Sequence, residues 1–491
     1  MLITNQIRKS HERLSRTGSR FLDFVNENPE SLKRSLYKDL LALNDYLFKM
    51  QPWPTFISQQ TKKEIMEATI KTLELIKKIP KWLFSNDPEK LSDYYGIPVE
   101  LANRFLDGMS DDHIKNLMAR GDFIVSPAAG IKCIEYNVNT NLGGIQTPIW
   151  ESTYLRIPII SKFMREHRIK IYNKNLFSSL FEHLIDSVLN TFSHAIDEIN
   201  VAFVSQEKKE RSAETAGDPY LDLLFKNVLA FKDPQLKGEI LFCTYSQLKT
   251  SGNHVFYKDK KVHFIIEWCF GFVPENIMEV FRMGNVLVVN GAICWLLSTK
   301  LNLALLSEYE DSDIFSPGEK ESIKKYIPWT RKVRDCETTY RGETIPLRDF
   351  ILSNRETLVL KPLVGSGGKD IYIGKKIPGK KWKELVELAF VKEDWKDITV
   401  ERNMTQEQWN HLIENALDVK SWLVQENIES YPYLYQFGDN GCTEHHAAWG
   451  FFIFGSRYSG GWLRILPKDN PRGIINSHQG AEVSSIFEVD E

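Results

Sequence analysis

The residues best equipped for chemistry lie in RGDFIVSPAAGIKCIEYNVNTN, at positions 120–141. Side chains alternate between the two faces of a strand. Glu135, Asn137 and Asn139 therefore share one face, and Arg120 and Asp122 share a face of the strand before it. A hairpin turning at Ala128-Ala129 brings Asp122 opposite Glu135 and Arg120 opposite Asn137. Carboxylates placed directly across a strand pair repel. Two arrangements relieve that repulsion. Either the polar side faces solvent with Arg120 neutralising an acid, or a divalent cation sits between the oxygens. Asp, Glu and Asn oxygens are hard donors suited to Mg²⁺, which takes one or two carboxylates and fills its shell with water and phosphate oxygens.

The second stretch is LVLKPLVGSGGKDIYIG, at 358–374. Residues 358–361 read as a buried strand ending in Lys361, and 370–374 return as a second strand by their alternation. Between them Gly365, Ser366, Gly367 and Gly368 form a loop whose backbone can approach a ligand closely. A Walker A loop needs Ser or Thr directly after its lysine and then a helix, whereas Lys369 precedes Asp370 and a strand. A dinucleotide fingerprint also needs a helix after the glycines. What remains is a glycine flap between antiparallel strands, or a plain hairpin tip. Together the two stretches ask for one ligand. Glycine amides and a lysine on one side, with an arginine and hard oxygens on the other, describe a triphosphate with magnesium.

The elements that must position these residues change character along the chain. Residues 1–118 read mainly as helices, with apolar residues at helical spacing over 31–50 and 62–78 and prolines at 52, 54, 80 and 98. Residues 121–139 switch to strand. A long amphipathic helix is expected over 176–199, with Leu176, Leu180, Leu184, Val188, Phe192 and Ile196 on one face. From 200 the grammar alternates. Strands at 201–205, 239–245 and 286–290, helices at 220–231 and 274–283, and a hairpin over 254–268 predict a small α/β domain with a largely parallel sheet. The polar residues 206–218 are expected to form a mobile loop. From 316 strands dominate, with helices at 382–391 and 406–416. The division is therefore a helical region at 1–118, the acid hairpin and long helix at 119–199, the α/β unit at 200–310, and a strand-rich part at 311–491. The fold class is α+β with an α/β unit.

A chain of 491 residues holds two or three domains, and 42 % hydrophobic with 26 % charged residues is ordinary for a soluble protein. The 62 basic and 65 acidic residues leave a net charge of −3, so no field draws it to nucleic acid or an anionic membrane. The cysteines at 133, 243, 269, 294, 336 and 442 lack any C-x-x-C pair, and His445-His446 has no partners at metal-ligand spacing. Neither a zinc site nor a disulfide framework is expected, which suits a reducing compartment. The first residues lack an apolar signal region, and the longest apolar run, 286–297, is broken by Asn290 and too short to span a bilayer. A cytoplasmic location is expected. There is no G-x-S-x-G elbow.

R-G-D-F at 120–123, G-I-K-C-I-E-Y-N-V-N-T at 130–140, L-S-T-K at 297–300, V-L-K-P-L-V-G-S-G-G at 359–368, W-L-V-Q-E at 422–426 and G-W-L-R at 461–464 occur in that order. This series resembles the circularly permuted ATP-grasp superfamily, and within it the synthetase domain of the glutathionylspermidine synthases, over residues from about 115 to 480. An acid-x-Asn element ahead of the lysine loop marks the permuted order. The resemblance implies an ATP-grasp fold with a Rossmann-like pre-ATP-grasp domain at 200–310, and dependence on ATP and Mg²⁺. It implies an ATP-dependent ligase joining the carboxylate of a small molecule or peptide to an amine acceptor. Asp122, Glu135 and Asn137 would hold Mg²⁺. Arg120 and Arg464 would act on the phosphoryl group or acyl phosphate. Lys300 and Lys361 would contact phosphates under a flap of Gly365, Ser366, Gly367 and Gly368, while Gln425 and Glu426 would bind adenine or ribose. After E-Y-N the similar enzymes continue A-D-T-P, but Asn139 and Asn141 stand here at the acid and the proline. Lys369 lies near where they carry arginine, and the chain has no room for their amidase domain. The nucleotide chemistry thus carries over further than the substrates do. A phosphotransferase on the same scaffold and a non-catalytic nucleotide-binding protein are the alternatives. Glu267, at a strand end, is either an amine contact or a surface acid.

Overall fold

The computed structural model describes residues 3–45, 48–107, 109–192, 196–205, 218–268, 271–363, 365, 367–391, 404–418, 421–439 and 441–491. Among them the chain forms a seven-stranded sheet, a four-stranded parallel sheet and a four-stranded antiparallel sheet, with helices packed around all three. No helix among the described residues is long and apolar enough to cross a membrane. Ser366 and residues 206–217 of the loop expected at 206–218 lie outside the described residues, and Asp218 already begins the helix Asp218–Lys232.

In the large sheet Thr55–Ser58 runs parallel to Glu482–Val489. Arg457–Pro467, Gly441–Phe454, Met118–Ser126 and Gly130–Asn137 follow in that order, each antiparallel to the last. Tyr433–Phe437 pairs with the first residues of Gly441–Phe454. Every residue of Met118–Ser126 is buried, the strand lying between Gly441–Phe454 and Gly130–Asn137.

The N-terminal region is less separate than its helical pattern suggests, since it lends Thr55–Ser58 to that sheet. The helix Gln59–Phe84 starts where the Ser58 hydroxyl accepts from the Thr61 amide, and it packs on Gly130–Asn137. Residues 31–50 do not make one helix. They form the short turns Pro29–Leu32, Arg34–Tyr37, Lys38–Leu41 and Ala42–Asp45. Backbone amides that a continuous helix would bond internally go elsewhere: Arg34 N to Asp439 O, and Met50 N to Asn44 Oδ1. The long helix is also shorter than expected, running Leu176–Thr191, because Ile199 is already in the strand Glu198–Ser205 and pairs with Gly238.

The parallel sheet has the order Leu287–Val289, Phe264–Glu267, Glu198–Ser205, Lys237–Thr244. The expected hairpin over 254–268 divides. His254–Tyr257 and Lys260–Val262 pair with each other, and Phe264–Glu267 turns into the parallel sheet. Asn290 ties this unit to the large sheet by accepting from Met118 N and donating to Met118 O.

The antiparallel sheet has the order Thr330–Lys332, Trp422–Glu426, Leu358–Pro362, Tyr372–Ile373. The helices Leu347–Ser353 and Gly379–Ala389 cover it, and Ile351, Leu360, Trp382, Val386 and Val424 form a core of its own, apart from the main one. A lobe with its own core can shift as a unit.

Candidate functional site

Strands Met118–Ser126 and Gly130–Asn137 pair Arg120 with Asn137 and Asp122 with Glu135, as the alternation implies. The route differs from a two-residue turn. Ser126 sits opposite Gly130, so the turn spans three residues, and a bulge then skips Ile134 to restore the Asp122–Glu135 pairing. Ile134 and Glu135 consequently both line the same cavity.

That cavity, of about 650 Å³, lies between the hairpin and the antiparallel sheet. Arg120, Asp122, Glu135, Asn137, Lys300 and Lys361 line it, as do Gly365, Gly367, Gly368, Gln425, Glu426 and Arg464. Each expected site residue within the described part of the chain is therefore brought to one place.

The opposed acids are not left to repel. Asp122, 2 % exposed, receives both Arg120 Nε (2.8 Å) and Arg120 Nη2 (2.9 Å). Arg464 Nη2 lies 2.9 Å from its Oδ2, though out of line for a hydrogen bond. Asn137 Nδ2 donates to the same oxygen at 3.3 Å. Burial alone would raise the Asp122 carboxyl, but Arg120 and Arg464 outweigh it and hold it below the usual carboxylate range. Glu135, 27 % exposed in its side chain, pairs with Lys300 at 3.0 Å. Three basic side chains thus do locally what a metal was expected to do.

A glycine makes this cluster possible. A Cβ on Gly450 would stand 2.3 Å from Trp462 Nε1 and 3.0 Å from Arg120 Cδ, so only glycine lets both side chains lie over that strand. Both guanidinium groups sit over the Trp462 ring, at 5.5 Å for Arg120 and 5.3 Å for Arg464.

Lys361 comes from the neighbouring sheet. Its Nζ donates to Gln425 Oε1 at 2.6 Å and to Ile134 O at 3.3 Å, and burial lowers its pKa to about 8. Lys300, at the start of Leu301–Glu308, also donates to Gly365 O at 3.2 Å. Gly368 has φ +71°, and a Cβ there would meet Ile474 Cγ2 at 2.9 Å. Gln479 Nε2 donates to Gly367 O at 2.9 Å. The flap therefore docks on residues 473–480, a contact with no signal in the local sequence.

The donor set fits Mg²⁺ bound largely through phosphates. Two carboxylates and one amide converge, and Asn137 spends its nitrogen on Asp122, which leaves its carbonyl oxygen uncommitted to that contact. Among the described residues no cluster of three His, Cys, Asp or Glu side chains forms a metal cage. Glu267 neither lines the cavity nor reaches the surface. It is buried, accepts from Tyr245 OH (3.1 Å) and Gly291 N (2.8 Å), and burial raises its carboxyl to about 8.

No protein-family model matches the chain, and no curated protein does.

Proposed function

We propose that the chain is an ATP-dependent carboxylate–amine ligase on a circularly permuted ATP-grasp scaffold, releasing ADP and phosphate. The observation that carries this reading is the convergence of Lys300, Lys361, Arg120 and Arg464 with the Asp122–Glu135 pair and the docked glycine flap in one cavity. Its volume suits a nucleotide with part of a second ligand.

Phosphoryl transfer depends on alignment and on dispersed positive charge more than on an acid or base. Lys300 and Lys361 hold phosphate oxygens, the flap supplies backbone amides, and Gln425 and Glu426 meet the nucleoside. Glu135, Asn137 and Asp122 would hold Mg²⁺, which would supply neutralisation of phosphate charge. A substrate carboxylate attacks the γ-phosphorus and the bond to ADP breaks. An amine then attacks the acyl carbon, phosphate leaves, and the nitrogen loses a proton. Arg120 and Arg464 stabilise the acyl phosphate, and closure of the separately cored lobe keeps water from it. No thiol nucleophile is called for, and Cys133, next to the site, has its thiol raised by burial. Free cysteines suit a cytosolic setting.

A coupled assay of ADP release tests the reading. Release that needs both a carboxylic acid and an amine supports it. A phosphorylated product formed without an amine marks a phosphotransferase, and nucleotide binding with no turnover marks a binding protein.

A further inference from the structure

We infer that Trp462 is a positioning residue for the transfer step, its ring holding the Arg120 and Arg464 guanidinium groups in place without cancelling their charge. The inference rests on the role given to those two arginines above. By register, Asp122, Gly450 and Trp462 form one row across three neighbouring strands. Arg120 lies two residues before Asp122, and Arg464 two after Trp462, on strands that run the same way. The arginines therefore flank the row from opposite sides on one face of the sheet. The indole between them is fixed by its surroundings. Gly450 leaves room for it, and a Cβ on Gly144, at φ +91°, would stand 2.5 Å from its Cδ2. The rings of Phe48 and Trp150 lie 5.4 and 6.0 Å from it.

Two guanidinium groups share the Asp122 carboxylate, so that trio keeps a positive charge and its two cations repel. A second acid would hold them more firmly, yet it would remove the charge that a transferring phosphoryl group has to meet. An aromatic face attracts a cation through its quadrupole while carrying no net charge, and indole does so best. Trp462 Nε1 is buried without a hydrogen-bond partner among the described residues, so this side chain is placed for its ring and not for its N–H. Arg464 Nε and Nη2 likewise have no hydrogen-bond partner among the described residues. The Asp122 charge and the Trp462 ring, 5.3 Å from its guanidinium, are the contacts that orient it.

The test is calorimetry of the whole chain with magnesium and ADP, alone and with aluminium fluoride, a mimic of the transferring phosphoryl group. ADP alone reports the phosphates held by Lys300 and Lys361, and the added affinity with aluminium fluoride reports the arginines. The wild type should bind the aluminium fluoride complex at least about tenfold more tightly than ADP. Mono-, di- and trifluorotryptophan placed at position 462 alone keep the shape of the ring and weaken its π face. Along that series the gap should shrink stepwise, while affinity for ADP stays within about twofold. Trp462→Phe should keep part of the gap and Trp462→Leu should lose it. A gap that is constant along the fluorinated series, a gap absent from the wild type, or an ADP affinity that falls as far as the gap does, overturns the inference alone. Failure to bind ADP overturns the nucleotide reading and the inference with it.

Discussion

Lys300 joins two parts of the site at once: its Nζ lies 3.0 Å from Glu135 Oε1 and 3.2 Å from the flap carbonyl of Gly365. An acid of the hairpin and the glycine loop are thereby tied through one ammonium. If the proposed triphosphate binds between them, it would compete with Glu135 and the Gly365 carbonyl for that ammonium.

Glu135→Ala is expected to lower ATP turnover by roughly a hundredfold or more. The fold should persist, because this side chain is partly exposed and its partner Lys300 keeps the Gly365 carbonyl. ADP release measured beside circular dichroism separates the two effects. Turnover near that of the wild type contradicts the role given to Glu135.

Asp122→Ala should cost stability as well as turnover. Two buried guanidinium groups depend on that carboxylate, and stranding them costs about 3–5 kcal/mol. Urea denaturation reads the loss. A midpoint unchanged from the wild type would show that Arg120 and Arg464 do not need Asp122.

Lys361 sets a pH limit. Burial lowers its pKa to about 8, opposed by the charges of Glu135, Cys133 and Asp122 and assisted by Lys300. Only the protonated amine attracts phosphate, so affinity for ATP should fall as pH rises through about 8. Lys361→Ala should weaken binding at pH 7 and remove that step. Calorimetry at pH 7 and 9 checks both, and equal affinities for the two proteins remove Lys361 from the site.

Stability has its own pH dependence. Burial lowers His11 to about 3, and burial is the leading cause for His113, His183, His263 and His445, each near 4, against an ordinary 6.5. Below about pH 6.5 the unfolded chain takes up protons that these folded histidines refuse, so stability present above that pH is lost as it falls toward 4. Glu151 and Glu267 act in the other sense, since burial raises both to about 8 and their contribution is lost as pH climbs. The histidines are more numerous, and the thermal midpoint should fall steadily from about pH 6.5 to 4.5. A midpoint constant over that range contradicts the account.

Much of the fold was legible where one element explains itself. Alternation placed Asp122 across from Glu135, and a lysine at a strand end beside glycines marked the flap. The parallel sheet followed from short apolar runs separated by helices. What escaped was set by distant chain. Asp122 meets Arg464 only because Gly441–Phe454 lies between their strands and Gly450 clears space there. The Ile134 bulge has no composition cue. Residues 31–50 carry helical spacing, yet partners such as Asp439 draw their amides away. Glu267 does end its strand, but that strand is inside the parallel sheet, so the acid is buried and accepts from Gly291 N instead of facing solvent.

A structure determined with magnesium and a non-hydrolysable ATP analogue tests the central claim most directly. The triphosphate should lie between Lys300 and Lys361 beneath the glycine loop, with the metal against Glu135 and Asn137. A nucleotide bound elsewhere, with Lys300 still on Glu135 and Lys361 still on Gln425, would contradict it.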